Sequence, residues 1–176
     1  MTPPRCLMLL ALVGGMALVS SPSAAEQEPH AGDQVADFAF TDFAGNKHHL
    51  SDFAGQYVLL DFWANWCQPC LNEVPDLKQA VERFRSRSLM IIGMNSDKNL
   101  EKAQRLVQEK SFSWLQSSSP STNQVIHHVL KIKWYPTLIL LGPQGKILAV
   151  SSGEKPPLYG ASLLKTLEQM LPPGPH

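Results

Sequence analysis

Cys67 and Cys70, with two residues between them in the string Asp61-Phe62-Trp63-Ala64-Asn65-Trp66-Cys67-Gln68-Pro69-Cys70, are the side chains of this sequence best equipped for chemistry. They stand where an apolar run from Tyr57 to Phe62 gives way to an amphipathic stretch, the pattern of a buried strand feeding a helix. A thiol at a helix start meets unpaired backbone N–H groups and the positive end of the dipole, so Cys67 is expected to ionise more readily than a free thiol. Cys70, one turn later, faces the same side and can close a disulfide on Cys67, which makes the pair a two-electron switch. Asp61 is the odd residue of its strand. A buried carboxylate has a raised pKa, and this one can accept the Cys70 proton when that thiol attacks a mixed disulfide. Trp66 is placed to shield the site, and Pro69 suits an early helical position.

Two plainer readings compete. A Cys-x-x-Cys is also half of a zinc site, but zinc needs two further ligands at motif spacing. The sequence has no second cysteine pair, and His48-His49 and His127-His128 are its clustered histidines. Asp61, in turn, reads alternatively as a strand-end carboxylate facing water.

The cysteine string resembles the active-site segment of the thioredoxin superfamily, and Glu73, Pro75 and Leu77 after it resemble the TlpA/ResA type of thiol-disulfide oxidoreductase. The resemblance extends over most of the chain after residue 32. It implies that Pro136 is a cis proline lying against the cysteines, leaving the backbone of Tyr135 free to dock an extended peptide. It also implies that Glu73 sits beside the cysteines as a further acid/base group. The residues alone equally allow Glu73 to point to solvent.

The elements that must position these residues follow from patterning. Asp33 to Phe43 and Lys47 to Leu50, around Ala44-Gly45-Asn46, predict a β-hairpin, and Ser51 to Gly55 a short helical turn. Tyr57 to Phe62 is the central strand. Leu71, Val74, Leu77, Val81 and Phe84 form a helical stripe reaching about Arg87, with a kink at Pro75. Leu89 to Met94 reads as a buried parallel strand, followed by a helix at Leu100 to Glu109, a short strand near Phe112 to Leu115, and a Ser/Pro-rich loop over Ser117 to Ser121. Thr122 is expected to cap a helix ending near Leu130. Leu138 to Leu141, a turn at Gly142 to Gly145 and Lys146 to Val150 form a second hairpin, and Ala161 to Met170 the last helix. The sum is an α/β fold with a mixed sheet covered by helices on both faces. By resemblance it is thioredoxin-like, with an amino-terminal β-hairpin extension and a TlpA-type insertion between Asn95 and Ser121.

At 176 residues, 44% hydrophobic and 17% charged, the chain has room for one globular domain. Its formal net charge of zero and lack of a basic stripe leave no electrostatic case for nucleic acid. Residues 1–25 read as a secretory signal, with Arg5, an uncharged stretch from Cys6 to Val19 and the small residues Ser23-Ala24-Ala25. That stretch is shorter than the roughly 20 residues that span a bilayer, so an uncleaved membrane anchor is the second reading. Residues 26–32 form a leader, 33–171 the domain and 172–176 a tail. Cys6 leaves with the signal, and a pair as close as Cys67 and Cys70 constrains too little chain to be a structural staple.

The resulting expectation is a periplasmic, monomeric thiol-disulfide oxidoreductase without cofactor or metal, which reduces disulfides of exported proteins and is itself re-reduced by a membrane dithiol protein. Gln68-Pro69 contains no histidine to stabilise the Cys67 thiolate further, which favours a potential nearer about −270 mV than about −120 mV. Disulfide oxidase or isomerase activity is one alternative, and a copper chaperone using the same soft thiolates is another. A peroxidase is disfavoured: in a Pro-x-x-x-Thr-x-x-Cys pattern, Leu60 and Ala64 occupy the Pro and Thr positions for Cys67, and Trp63 and Cys67 do so for Cys70.

Overall fold

The computed structural model describes residues 28–174. The expected signal segment, its cleavage point before Glu26 and the last two residues of the tail lie outside the described residues. A two-stranded hairpin, β1 (Ala39–Thr41) and β2 (Lys47–His49), leads through a 3-10 turn at Leu50–Phe53 into β3 (Tyr57–Trp63). Next come α1 (Gln68–Asn72), α2 (Val74–Phe84), β4 (Leu89–Asn95), α3 (Leu100–Glu109) and β5 (Leu115–Ser117). The chain then forms α4 (Ser121–Gln124), continued by a π-helical turn at Val125–Val129, and ends with β6 (Thr137–Leu141), β7 (Ile147–Ser152) and α5 (Ala161–Met170).

The main sheet has the order β5-β4-β3-β6-β7. β3 pairs parallel with β4 and antiparallel with β6, so it lies at the centre and must be apolar on both faces. Its period of two divides the core. Val58, Leu60 and Phe62 pack with Phe38 and Phe40 of the amino-terminal segment and with Val125 and Ile126 of the π-turn. Leu59 packs on the opposite face with Val74, Leu77 and Phe84 of α2 and with Leu163 and Leu167 of α5. Trp63 shares that second face and packs with Cys67, Cys70 and Ala103 of α3. Each of the buried Val, Leu, Ile and Phe side chains among these contributes roughly 1.5–3 kcal/mol by leaving water.

The helical stripe after the cysteines is interrupted at Glu73, the residue between α1 and α2. Glu73 N–H donates to the Cys70 carbonyl at 3.2 Å, a turn tighter than α, and Pro75 has no N–H to return to Leu71. The hairpin, meanwhile, covers the edge of β5: Phe43 N–H donates to the Gln116 carbonyl at 3.0 Å and Ser118 N–H to that of Thr41 at 2.8 Å. An edge closed in this way offers no free ladder for another chain.

Three expectations are corrected in detail. The strand near Phe112 to Leu115 starts only at Leu115, opposite Ile92, because Phe112 and Trp114 stack on each other at 4.7 Å and turn into the core instead. Ser117 and Ser121 belong to a strand and a helix rather than a loop, and Thr122 is a buried residue inside α4, bonded to the Ser117 hydroxyl, not its cap. The return strand runs Ile147–Ser152, since Lys146 closes the turn by accepting from Gly142 N–H at 2.8 Å.

Candidate active site

β3 ends at Trp63, and the chain turns at once, with Cys67 N–H donating to the Ala64 carbonyl at 3.0 Å. The turn is held by Asp97, two residues past the end of β4, whose Oδ2 accepts from Asn65 N–H at 2.8 Å and from Asn95 Nδ2 at 2.7 Å. Cys67 is the N-cap of α1, and its Sγ accepts from Cys70 N–H at 3.2 Å. Cys67 and Cys70 are bonded to each other, with an S–S distance of 2.05 Å, and both are buried.

Two carboxylates lie behind them. Asp61 sits in the middle of the sheet, between Gly93 of β4 and Leu138 of β6, 3% exposed. By strand alternation it shares the face of Leu59 and Trp63, the side on which the cysteines pack. Burial alone pushes its carboxyl up to about 7. Glu73 is 2% exposed, which decides between the two directions open to it: it points inward. Among the described residues neither of its oxygens has a hydrogen-bond partner. Burial first, and then the charge of Asp61, push its carboxyl up to about 9. The Gly160 N–H pulls the other way without reaching hydrogen-bond geometry.

In front of the disulfide the surface is aromatic. Trp66 is 67% exposed and meets Tyr135 edge to face at 5.4 Å, so it flanks the cysteines more than it roofs them. Tyr135 packs against the Trp63, Cys67, Cys70 and Ala103 cluster, and its bond to Pro136 is cis. Pro136 is buried, and its carbonyl accepts from Gly153 N–H at 2.7 Å. The backbone N–H and carbonyl of Tyr135 have no partner among the described residues.

Two contributors carry no signal in the sequence. Asp97 lies just beyond a strand end in no motif. Gln116 lies in the segment expected to be insertion, and its Oε1 accepts from Trp63 Nε1 at 2.9 Å. Room for that amide exists because position 93 is glycine: a Cβ there would fall 2.1 Å from Gln116 Oε1.

Among the described residues, no group of three or more His, Cys, Asp or Glu is disposed to hold a metal ion, and no helix is long and apolar enough to cross a membrane. The chain is 26% identical to the thiol-disulfide oxidoreductase ResA of Bacillus thuringiensis subsp. konkukian (strain 97-27) over 86% of its own length and 87% of the relative's. It is 25% identical to ResA of Bacillus subtilis (strain 168), over 84% and 81%. The thioredoxin domain of a thiol-disulfide oxidoreductase from Bacteroides vulgatus superposes with a TM-score of 0.74 at 28% identity, covering 82% of this chain and all of that one. A thiol:disulfide interchange protein from Bacteroides sp. gives 0.71 at 29% identity, covering 81% and 90%. The model of the AhpC/TSA family matches residues 31–150, a span that holds the hairpin, both cysteines, both buried carboxylates and the Tyr135–Pro136 bond. With its thioredoxin-like sheet and ResA-type relatives, this chain belongs to the AhpC/TSA family of the thioredoxin superfamily.

Proposed function

We infer that the protein is an exported thiol-disulfide oxidoreductase that reduces disulfides of other exported proteins. The observation that carries this reading is the buried Cys67–Cys70 disulfide at a helix start with two desolvated carboxylates behind it. In the reduced protein the Cys67 thiolate attacks a substrate disulfide. A Cys67–substrate bond forms and the substrate's other sulfur leaves as a thiolate. Asp61 then takes the proton of Cys70, whose thiolate attacks Cys67 Sγ and releases the second substrate thiol. The substrate has gained two electrons, and the protein is left in the disulfide form seen here.

Burial raises the Asp61 carboxyl to about 7, near neutral pH, which is where a proton acceptor works best. Glu73, held at about 9, is protonated there and leaves Asp61 as the charged member of the pair. Trp66 and Tyr135 form the surface that receives the substrate, and the cis bond to the buried Pro136 sets the direction of the Tyr135 backbone, with which the substrate's extended chain pairs. Residues 1–25 act as the signal that carries the chain to the periplasm, where it works as a monomer. A membrane dithiol protein restores Cys67 and Cys70, because an oxidising compartment does not. Exchange needs no cofactor. The family's peroxidase chemistry lacks its Pro-x-x-x-Thr-x-x-Cys pattern here.

The test is insulin-disulfide reduction. Cys67→Ser should abolish it, and Cys70→Ser should accumulate a mixed disulfide visible by mass spectrometry. Preferential alkylation of Cys70 under limiting reagent would reverse the roles. Equilibration with glutathione reads direction: a potential near about −120 mV, with rapid oxidation of reduced unfolded protein, would make the protein an oxidase.

A further inference from the structure

Beside Trp66, the residue before Cys67, a groove of about 540 Å³ opens between the turn that carries Asn65 and Trp66, the start of α3, Tyr135, and Asn123 and His127 of the helical segment after β5. Its charge is one-sided. Lys98 and Lys102 line it and are exposed, and neither is in an ion pair among the described residues. The one carboxylate of the lining, Asp97, is 6% exposed, and its Oδ2 is taken by Asn65 and Asn95. Glu101, in the same helical turn as Lys102, is not part of the lining. A second groove, of about 360 Å³, shares Tyr135 as a wall but carries both signs, Lys155 and Glu28, the latter 3.3 Å from the Lys133 ammonium. Tyr135, with its unpartnered backbone, thus stands between a basic groove and a mixed one.

We propose that the basic groove docks an extended stretch of substrate protein bearing acidic residues on one side of its reactive cysteine, with Lys98 and Lys102 as specificity-determining residues. This rests on the exchange reading above and adds the substrate class to it. Backbone pairing at Tyr135 is blind to sequence, and the Trp66–Tyr135 wall takes any side chain with an apolar body. Discrimination therefore falls to charge. Two unpaired lysines beside a desolvated acid steer acidic segments to Cys67 and disfavour basic ones, an effect that acts mainly on the association step. Because only one of the two grooves is one-sided, the preference applies to one flank of the cysteine.

The test uses neutral peptides with one cysteine held as the mixed disulfide with 2-mercaptoethanol, and with three glutamates or three lysines on the amino or the carboxyl side. Reduced protein is mixed with each under single-turnover conditions. Cys67 and Cys70 lose two electrons and two protons, and the peptide and mercaptoethanol leave as thiols. The second-order rate constant should favour glutamate over lysine about tenfold on one flank at low ionic strength, and the ratio should collapse towards one in 1 M salt, where the Debye length is about 3 Å. Lys98→Glu with Lys102→Glu should bring the ratio below one. Lys98→Gln with Lys102→Gln should bring it near one and serves if charge reversal prevents folding. Equal rates on both flanks with the parent protein, or a ratio kept in the glutamine variant, would overturn the proposal. The neutral disulfide of 2-mercaptoethanol separates the two levels: if the parent protein reduces it yet shows no charge ratio, only the groove assignment falls, and if it reduces no disulfide at all, the exchange reading falls and the groove assignment with it.

Discussion

Two regions of the molecule bury carboxylates and treat them in opposite ways. In the hairpin, Asp42 is 8% exposed, but its oxygens accept from Ala44 N–H at 2.9 Å, Asn46 N–H at 2.8 Å and Asn46 Nδ2 at 2.9 Å, and meet His48 Nε2 at 3.0 Å. Burial pushes this carboxyl up, yet the hydrogen bonds from His48, Asn46 and Ala44 outweigh it and bring it down to about 2. Behind the cysteines, Glu73 has no such partner and burial stands unopposed on Asp61, so these two rise to about 9 and about 7. Burial by itself therefore says little about role. A buried acid with its lone pairs satisfied is held ionised as a tie, whereas one left bare is pushed towards its neutral, protonated form.

The largest expected effect breaks that contrast at the level of rate. Asp61→Asn should slow resolution of the mixed disulfide about 100-fold at pH 7, the scale of a lost general base, while initial attack by Cys67 changes by no more than about twofold. Asp42→Asn should leave both phases unchanged wherever the variant is folded. Stopped-flow separation of the two phases decides it, and equal resolution rates in Asp61→Asn and the parent protein would move Asp61 into the same class as Asp42.

The next effect is on stability, and its sign follows from proton binding. With folded values of about 7 and about 9 against ordinary values of 3.8 and 4.5, the native protein holds protons that the unfolded chain has already released. These groups leave stability intact below pH ~4 and erode it as pH rises through about 7 and on to about 9. A tenfold difference in proton affinity between the folded and unfolded chain is worth about 1.4 kcal/mol, so the loss reaches several kcal/mol. Urea midpoints of the oxidised protein should fall between pH 5 and pH 9, and Glu73→Gln should flatten the decline. Because the Asp61 charge is the second cause of the rise at Glu73, the two titrate as a pair, and Asp61→Asn should flatten part of it as well. Parallel curves for Glu73→Gln and the parent would show that Glu73 ionises freely.

How much of this is legible in sequence depends on whether the signal is local. The central strand, the helix at Leu100 to Glu109 and the helix at Ala161 to Met170 are read within a residue, because the strand is apolar on both faces and each helix turns an apolar stripe inward, around Ala103 in the first and Leu163 and Leu167 in the second. Phe112 and Trp114 mimic a strand by composition, and only the tertiary stack shows that they belong under α3 and α2. Glu73 is undecidable from sequence because a residue at a helix joint can point either way, and the sequence marks a kink at Pro75 without showing that α1 ends and α2 begins at Glu73 itself. Asp42 gives no signal at all. Its four partners come from a five-residue turn and the strand after it, a pattern no different in composition from an exposed loop.

The smallest expected effect sits at Asp42 and has the opposite pH sign. A carboxyl lowered to about 2 contributes stability that is fully present above its ordinary 3.8 and is lost as pH falls through about 2. Its turn lies at the surface, where solvent screens the interaction, so the contribution is on the order of 1 kcal/mol. Asp42→Asn removes this ionisation while keeping the shape of the side chain. The parent protein should therefore lose on the order of 1 kcal/mol more than the variant between pH 5 and pH 2, measured as urea midpoints of the disulfide form. Above pH 5 the two should run parallel, since the alkaline decline belongs to Asp61 and Glu73 on the other side of the sheet. An acid limb unchanged by Asp42→Asn would mean that the hydrogen bonds of the turn hold the neutral side chain as well as the charged one, and the contrast between the two regions would then rest on the unpartnered pair alone.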